Sequence, residues 1–235
     1  TQPMADLDAY RNELSQFVYE SSSPMQPVFL AAKHNPKRVI YAEGEDERVL
    51  RAAQVAVDEG IAHPVLIGRT DVIASRIERL GLRLKADINY ECVNVLDDPR
   101  YREVWSEYYE LCKRQGVTRE RAKEETRTRT TLIGCMLLHR GDADALLCGT
   151  TGHYAEHLDY VSKIIGRQEG VKTLAELQMV LLAERQLFIC DTQVNDHPTA
   201  EQLAEITLLA AEEVSRFGIT PSVALLSRSS FGSSH

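Results

Sequence analysis

Through the middle of this chain, short apolar runs alternate with amphipathic helical stretches, and the stretches close on glycine. Residues 38–42, 64–68, 90–95 and 145–148 read as strands. Helical spacing falls between them at 46–59, 71–80, 100–115, 119–127 and 130–140, with Gly60, Gly81, Gly116 and Gly141 placed as terminators. Thr70 and Thr118 stand where N-caps belong, and Val49, Leu50, Ala53, Val55 and Val57 are available to the buried side of the first helix. Strands joined through helices by short links run parallel, so this rhythm predicts an α/β fold with a doubly wound, mostly parallel sheet.

The flanks read differently. Residues 6–19 carry Leu7, Tyr10, Leu14, Phe17 and Val18 at helical spacing, and a second short helix follows over 26–33. These pieces form an expected helical connector over 1–36. After Gly149 the pattern predicts a helix over 153–165, a hairpin of strands 174–182 and 186–190 around Ala183-Glu-Arg185, and a helix over 199–217. Thr199 and Gln202 suit a capping box on that helix, and Gly218 suits its end. A last buried strand is expected at 223–226. The domain expectation is therefore 1–36, 37–148 and 149–235.

Composition narrows the function. The 235 residues are 43% apolar and 26% charged with a net charge of −8, an ordinary globular balance. That acidity argues against a nucleic-acid partner. No apolar run approaches the roughly 18 residues of a membrane span. The five cysteines form no C-x-x-C pair, which fits free thiols in a reducing cytoplasm. Nucleotide-binding glycine fingerprints, a Walker A loop and a G-x-S-x-G elbow are absent from the sequence.

Two loops suit an anion. Cys148-Gly-Thr-Thr-Gly-His153 leaves a strand and opens a helix, so Gly149, Thr150, Thr151, Gly152 and His153 are candidates for a phosphate cradle; a plain strand-to-helix turn explains them equally well. Ser227, Arg228, Ser229, Ser230, Gly232, Ser233 and Ser234 offer hydroxyls and a charge after the last expected strand, with a flexible tail as the competing explanation. Glu43 and Gly44 follow the first strand, and Asn195 and Asp196 sit in a turn before the last helix, so these four are further cleft-lining candidates. Glu43-Gly-Glu-Asp-Glu-Arg48 reads better as a turn and acidic first helical turn than as a catalytic cluster. His153 and His157 lie four apart but lack a third ligand, so no metal site is expected. Trp105, Tyr108 and Tyr109 read as core or subunit interface.

Tyr41-Ala-Glu-Gly-Glu-Asp-Glu-Arg-Val49, Gly141-Asp-Ala-Asp-Ala-Leu-Leu-Cys-Gly149, Pro198-Thr-Ala-Glu-Gln-Leu-Ala-Glu-Ile206 and Val223-Ala-Leu-Leu-Ser227 together resemble the phosphotransacetylase family. The branch they resemble most is the C-terminal phosphotransacetylase-like domain of large bacterial NADP-dependent malic enzymes. The connector residues Leu7, Tyr10, Phe17 and Phe29 carry that likeness. So does Gly149-Thr-Thr-Gly-His153, which stands where acyltransferases of the family carry a Ser-Gly-Ala loop, and so does Val194-Asn-Asp-His-Pro198 in place of an Asn-Pro-x-Pro turn.

The resemblance implies a phosphotransacetylase-like architecture, akin to isocitrate and isopropylmalate dehydrogenases, with two subdomains around an acyl-CoA cleft. It implies a return segment beyond His235, bearing the Ser, Arg and Asp that the acyltransferases use, so no catalytic residue is assigned here. The expected role is regulation and oligomerisation, with acetyl-CoA as allosteric effector and a homodimer or higher oligomer as the assembly. A malic enzyme catalytic domain is expected in cis, and NADP and Mg or Mn are expected only there. The alternative is an active phosphate acetyltransferase.

Overall fold

The computed structural model describes residues 25–182 and 186–226. The expected helix over 6–19, the turn at 183–185 and the whole loop from Ser227 to Ser234 lie outside the described residues. The chain divides into two compact units, with Phe29–Gly166 forming one and residues 25–28 and the described residues after Gly166 belonging to the other.

α1 (Gln26–His34), whose residues from Phe29 on belong to the first unit, leads into β1 (Lys37–Tyr41), and then come α2 (Glu47–Asp58), β2 (Ala62–Ile67), α3 (Thr70–Arg79) and β3 (Glu91–Val93). Next are α4 (Tyr101–Cys112), a 3-10 turn (Lys113–Gln115), α5 (Arg119–Thr128), α6 (Thr130–His139), β4 (Ala145–Leu147) and α7 (Tyr154–Ile164). The four strands form one sheet in the order β3-β2-β1-β4. Every neighbouring pair is parallel, with Val39 opposite Pro64 on one side of β1 and Ala145 on the other.

Strand alternation places helices on both faces. Tyr41 and Leu66 join Val49, Leu50 and Ala53 of α2 and Ile73 and Ile77 of α3 in one buried cluster. Their chain neighbours Ile40, Val65 and Ile67 turn the other way, against Ile133 and Leu137 of α6. The expected doubly wound sheet is present. A third cluster joins α4, α5, α6 and α7 through Val104, Tyr108, Ala122, Leu132, Met136 and Ile164. That packing explains why the compact unit runs to Gly166 and not to the expected boundary at 148: Ile164, Tyr160 and Val161 tie α7 to the helices before β4.

Local chemistry agrees with most expected element ends. Asp46 caps α2 through the backbone N–H of Arg48, and Thr118 caps α5 through that of Arg121. Gly60, Gly81, Gly116, Gly141 and Gly218 all adopt positive φ. Thr70 differs. It is the first residue of α3, and the N-cap position falls on Arg69, whose backbone N–H and side-chain Nε and Nη2 bond the Glu45 carboxylate. Strand β3 is shorter than expected because Asn94 turns its side-chain oxygen back onto the Leu96 N–H. On α2, Ala56 is buried and Val55 is exposed.

The helices α4 and α5 are stitched by rings and cations in antiparallel register. Arg127 lies 4.2 Å over the Tyr101 ring, Lys123 lies 4.8 Å over Trp105 and Arg119 lies 5.2 Å over Tyr109. Beneath them Tyr108 is buried, and its hydroxyl donates to Glu125 at 2.7 Å.

The second unit holds the antiparallel pair β5 (Gln178–Leu181) and β6 (Gln186–Ile189), with Met179 opposite Phe188, and α8 (Ala200–Arg216). The capping box of Thr199 and Gln202 forms as expected. Strand β5 starts at Gln178, so 174–177 is not strand. The strand expected at 223–226 is not there: Val223 is 58% and Leu226 91% exposed. A strand persists only where a neighbour completes its ladder, and no strand among the described residues pairs with this segment.

Candidate functional site

The order β3-β2-β1-β4 places the topological switch between β1 and β4, because the chain leaves β1 toward β2 on one side and returns to its other side with β4. In open parallel sheets the crevice outside the carboxyl ends of two such strands is where ligands bind. Here the two loops leaving those strands meet. Glu43, two residues past β1, accepts the backbone N–H of Gly149, two residues past β4, at 2.9 Å.

Two adjoining hollows open at this point, of about 360 and 180 Å³, and Glu43, Thr128, Thr130 and Thr151 line both. The larger one adds Arg76 and Arg127 to its walls, and the smaller adds Arg129, Thr131, Gly152, His157 and Tyr160. Glu45 and Asp46 also line the larger hollow and Glu156 the smaller, so hydroxyls, guanidinium groups and carboxylates share the lining. The first turn of α6, whose N–H groups have no intrahelical acceptors, starts at the same place with no side-chain cap.

Several ionisable groups in and beside the crevice are engaged. Both nitrogens of His157 are bonded, Nδ1 with the Thr131 hydroxyl at 2.7 Å and Nε2 with the Thr151 carbonyl at 2.8 Å. A carbonyl only accepts, so Nε2 carries a proton and donates to it. Burial pushes the Cys148 thiol up, the nearby Glu43 charge pushes it further, and the Thr131 hydroxyl opposes them more weakly. The thiol is therefore protonated at neutral pH and is a poor nucleophile. Arg76 donates to the Glu45 carbonyl, and Arg48 grips the Asp46 carboxylate and reaches the Thr150 carbonyl at 3.3 Å.

The residues expected from sequence divide into groups. Glu43, Thr151 and Gly152 line the crevice. Gly149 is at its edge, but its N–H is already satisfied by Glu43. Thr150 faces Arg48 with its carbonyl, and His153 is the N-cap of α7, without a side-chain cap bond. Gly44 packs behind the site: its N–H bonds the Ile67 carbonyl at 3.0 Å, and a Cβ there would fall 2.7 Å from that oxygen.

Asn195 and Asp196 belong to the second unit. Asn195 is a loop brace, with its amide donating to the Leu174 carbonyl at 2.8 Å and to the Asp191 carboxylate. Burial raises the Asp191 carboxyl, but bonds from the Asn195 amide and from the N–H groups of Val194, Gln193 and Asn195 outweigh it and hold the group below its ordinary value. Sequence reading passed over Arg127, Thr128, Thr130 and Thr131. The available signal was Arg127-Thr-Arg-Thr-Thr131 itself, a polar break between two helices that ends in an apolar one.

Fold and crevice together define a doubly wound α/β protein with a polar crevice of mixed charge at its switch point. Residues 23–235 match the family described as phosphate acetyl/butaryl transferase, and the chain belongs to that family. It is 50% identical over 234 residues to the NADP-dependent malic enzyme of Escherichia coli, covering 100% of this chain and 31% of that protein. It is 35% identical over 198 residues to a phosphate acetyltransferase of Nitratidesulfovibrio vulgaris, covering 84% of this chain and 28% of that one. The chain thus spans about a third of the length of such curated relatives. The crystal structure of a phosphotransacetylase from Streptococcus pyogenes superimposes with a TM-score of 0.77 at 27% identity, over 90% of this chain and 64% of that one.

Proposed function

We propose that this chain is the regulatory and oligomerisation domain of an NADP-dependent malic enzyme and that it binds acetyl-CoA, an allosteric inhibitor, in the switch-point crevice. One observation carries the reading. The crevice offers Arg127 and threonine hydroxyls to an anion, while its carboxylates are taken, Glu43 by the Gly149 N–H, Glu45 by Arg69, Asp46 by Arg48 and Glu156 by Arg129, and both nitrogens of its histidine are bonded, which suits binding without chemistry. The identity of 50% across the whole chain favours the malic enzyme context over the acyltransferase one. On this reading malate oxidation, with NADP and Mg or Mn, belongs to the catalytic domain in cis. The protein then works in the cytoplasm as a homodimer or higher oligomer. Regulation requires acetyl-CoA to bind two states of the assembly unequally.

Calorimetric titration of acetyl-CoA into the 235-residue chain, with sedimentation with and without ligand, tests this. Saturable binding supports it; a well-folded chain that binds no acyl-CoA removes it. The second reading, transfer of acetyl between acetyl phosphate and coenzyme A, draws on the phosphotransacetylase likeness. Release of coenzyme A thiol from acetyl-CoA and phosphate, at a rate above buffer, would put this reading in place of the first.

A further inference from the structure

Among the arginines that line the crevice, Arg127 stands apart. Arg76 donates to the Glu45 carbonyl, and Arg129 has Glu156 at 3.7 Å. Among the described residues no carboxylate lies within ion-pair distance of Arg127, and its guanidinium rests 4.2 Å over the Tyr101 ring while the residue lines the larger hollow. The ring is itself fixed, because the Tyr101 hydroxyl donates to the Lys123 carbonyl at 2.8 Å. Tyr101 is the first rung of the ladder that continues through Trp105 with Lys123 and Tyr109 with Arg119. The ladder delivers its last cation to the crevice.

A free arginine side chain loses rotamer entropy when it is immobilised on a ligand. Stacking on a fixed ring removes part of that loss before the ligand arrives, while leaving all the N–H donors free for oxygen. Planar donors without an internal carboxylate match a phosphate better than any other group in this lining.

We infer that Arg127 receives a phosphate group of the crevice ligand and that Tyr101 is the positioning residue that holds it there. This rests on the acyl-CoA reading above and deepens it by naming the cation that reads the ligand's charge and the ring that orients it. The remaining rungs stabilise the α4–α5 pair without touching the ligand.

The test uses the full 235-residue chain with acetyl-CoA and with S-acetylpantetheine, which carries no phosphate, the second measured by competition. Arg127→Gln is expected to weaken acetyl-CoA about 10-fold or more and to leave acetylpantetheine unchanged. Tyr101→Leu should weaken acetyl-CoA about 2- to 5-fold, and Tyr101→Phe, which keeps the ring but not its bond to the Lys123 carbonyl, should weaken it less than Tyr101→Leu. In the Arg127→Gln background Tyr101→Leu should add nothing. Trp105→Leu should lower the unfolding midpoint and leave affinity alone. Equal losses for both ligands, full additivity of the two substitutions, or unchanged affinity in Arg127→Gln would each overturn the inference while leaving acyl-CoA binding intact. A wild-type chain that binds neither ligand overturns both.

Discussion

Glu43 and Gly149 are 106 positions apart in sequence, and the Glu43 carboxylate accepts the Gly149 N–H at 2.9 Å. The bond clasps the two loops that leave β1 and β4 across the switch of the sheet. It also consumes an amide that a bare glycine loop would have turned to a ligand. Replacing Glu43 by Ala should cost about 1 kcal/mol, the net worth of one such bond, because water can reach the freed amide. Glu43→Gln keeps an acceptor and should hold stability near wild type while removing the charge that raises the Cys148 thiol. The expected outcome is a lower thiol pKa in Glu43→Gln, read as faster alkylation of the Cys148 peptide at a fixed pH near 8. An unchanged alkylation profile would mean that the carboxylate charge does not reach the sulfur.

Asp46 couples the start of α2 to pH. Hydrogen bonds from the Arg48 side chain, then from its backbone N–H, with the Arg48 charge, outweigh desolvation and bring the carboxyl down to about 2. A carboxyl depressed by folding stabilises the protein above its unfolded pKa, about 3.9. That contribution is lost as pH falls through the folded value. Between about pH 4 and pH 2 the wild-type chain should therefore lose stability faster than Asp46→Asn, which still caps the helix but does not titrate. Urea unfolding at several pH values measures the difference. Parallel curves in that window would remove Asp46 from the acid response.

In the second unit, Asn195 and Asp196 are adjacent in sequence and unequal in structure. Asn195 braces its loop through the Leu174 carbonyl and the Asp191 carboxylate, whereas Asp196 is exposed. Asn195→Ala should destabilise by about 1–2 kcal/mol and let the Asp191 carboxyl rise. Asp196→Ala should stay within about 0.5 kcal/mol of wild type. Thermal unfolding of the two variants side by side checks this, and equal midpoints would contradict the assignment of the brace.

The sheet was legible because its signals are local. Apolar runs such as Val65-Leu-Ile67, caps such as Thr118 and Thr199, and terminators such as Gly60 and Gly116 each act within a turn of where they stand. The strand expected at 223–226 shows the limit, since an apolar run becomes a strand only if something pairs with it. The site was half legible for the same reason. The Gly149-to-Gly152 loop announces itself by composition, but its partners Thr128, Thr130 and Arg127 arrive from α5 and α6, and only the fold brings them to Glu43. The antiparallel matching of Tyr101, Trp105 and Tyr109 with Arg127, Lys123 and Arg119 could have been found by writing the two helices in opposite directions.

Gly152 is where loop geometry and the crevice histidine constrain each other most tightly. Its φ is +97°, and a Cβ built there would lie 2.9 Å from His157 Nε2, the atom that donates to the Thr151 carbonyl. Gly152→Ala therefore imposes two costs: a left-handed backbone on an L side chain, about 1 kcal/mol, and displacement of the imidazole from a bond worth about another. The second cost propagates, because His157 Nδ1 holds the Thr131 hydroxyl at the start of α6. The expected result is a destabilisation of about 2 kcal/mol in urea, together with a shifted His157 resonance in the NMR spectrum of the ring protons. Gly152→Ala in a His157→Ala background separates the two: the steric conflict is gone there, so only the backbone cost of about 1 kcal/mol should remain. If the loss is the same in both backgrounds, the strain resides wholly in the backbone and the contact with His157 contributes nothing.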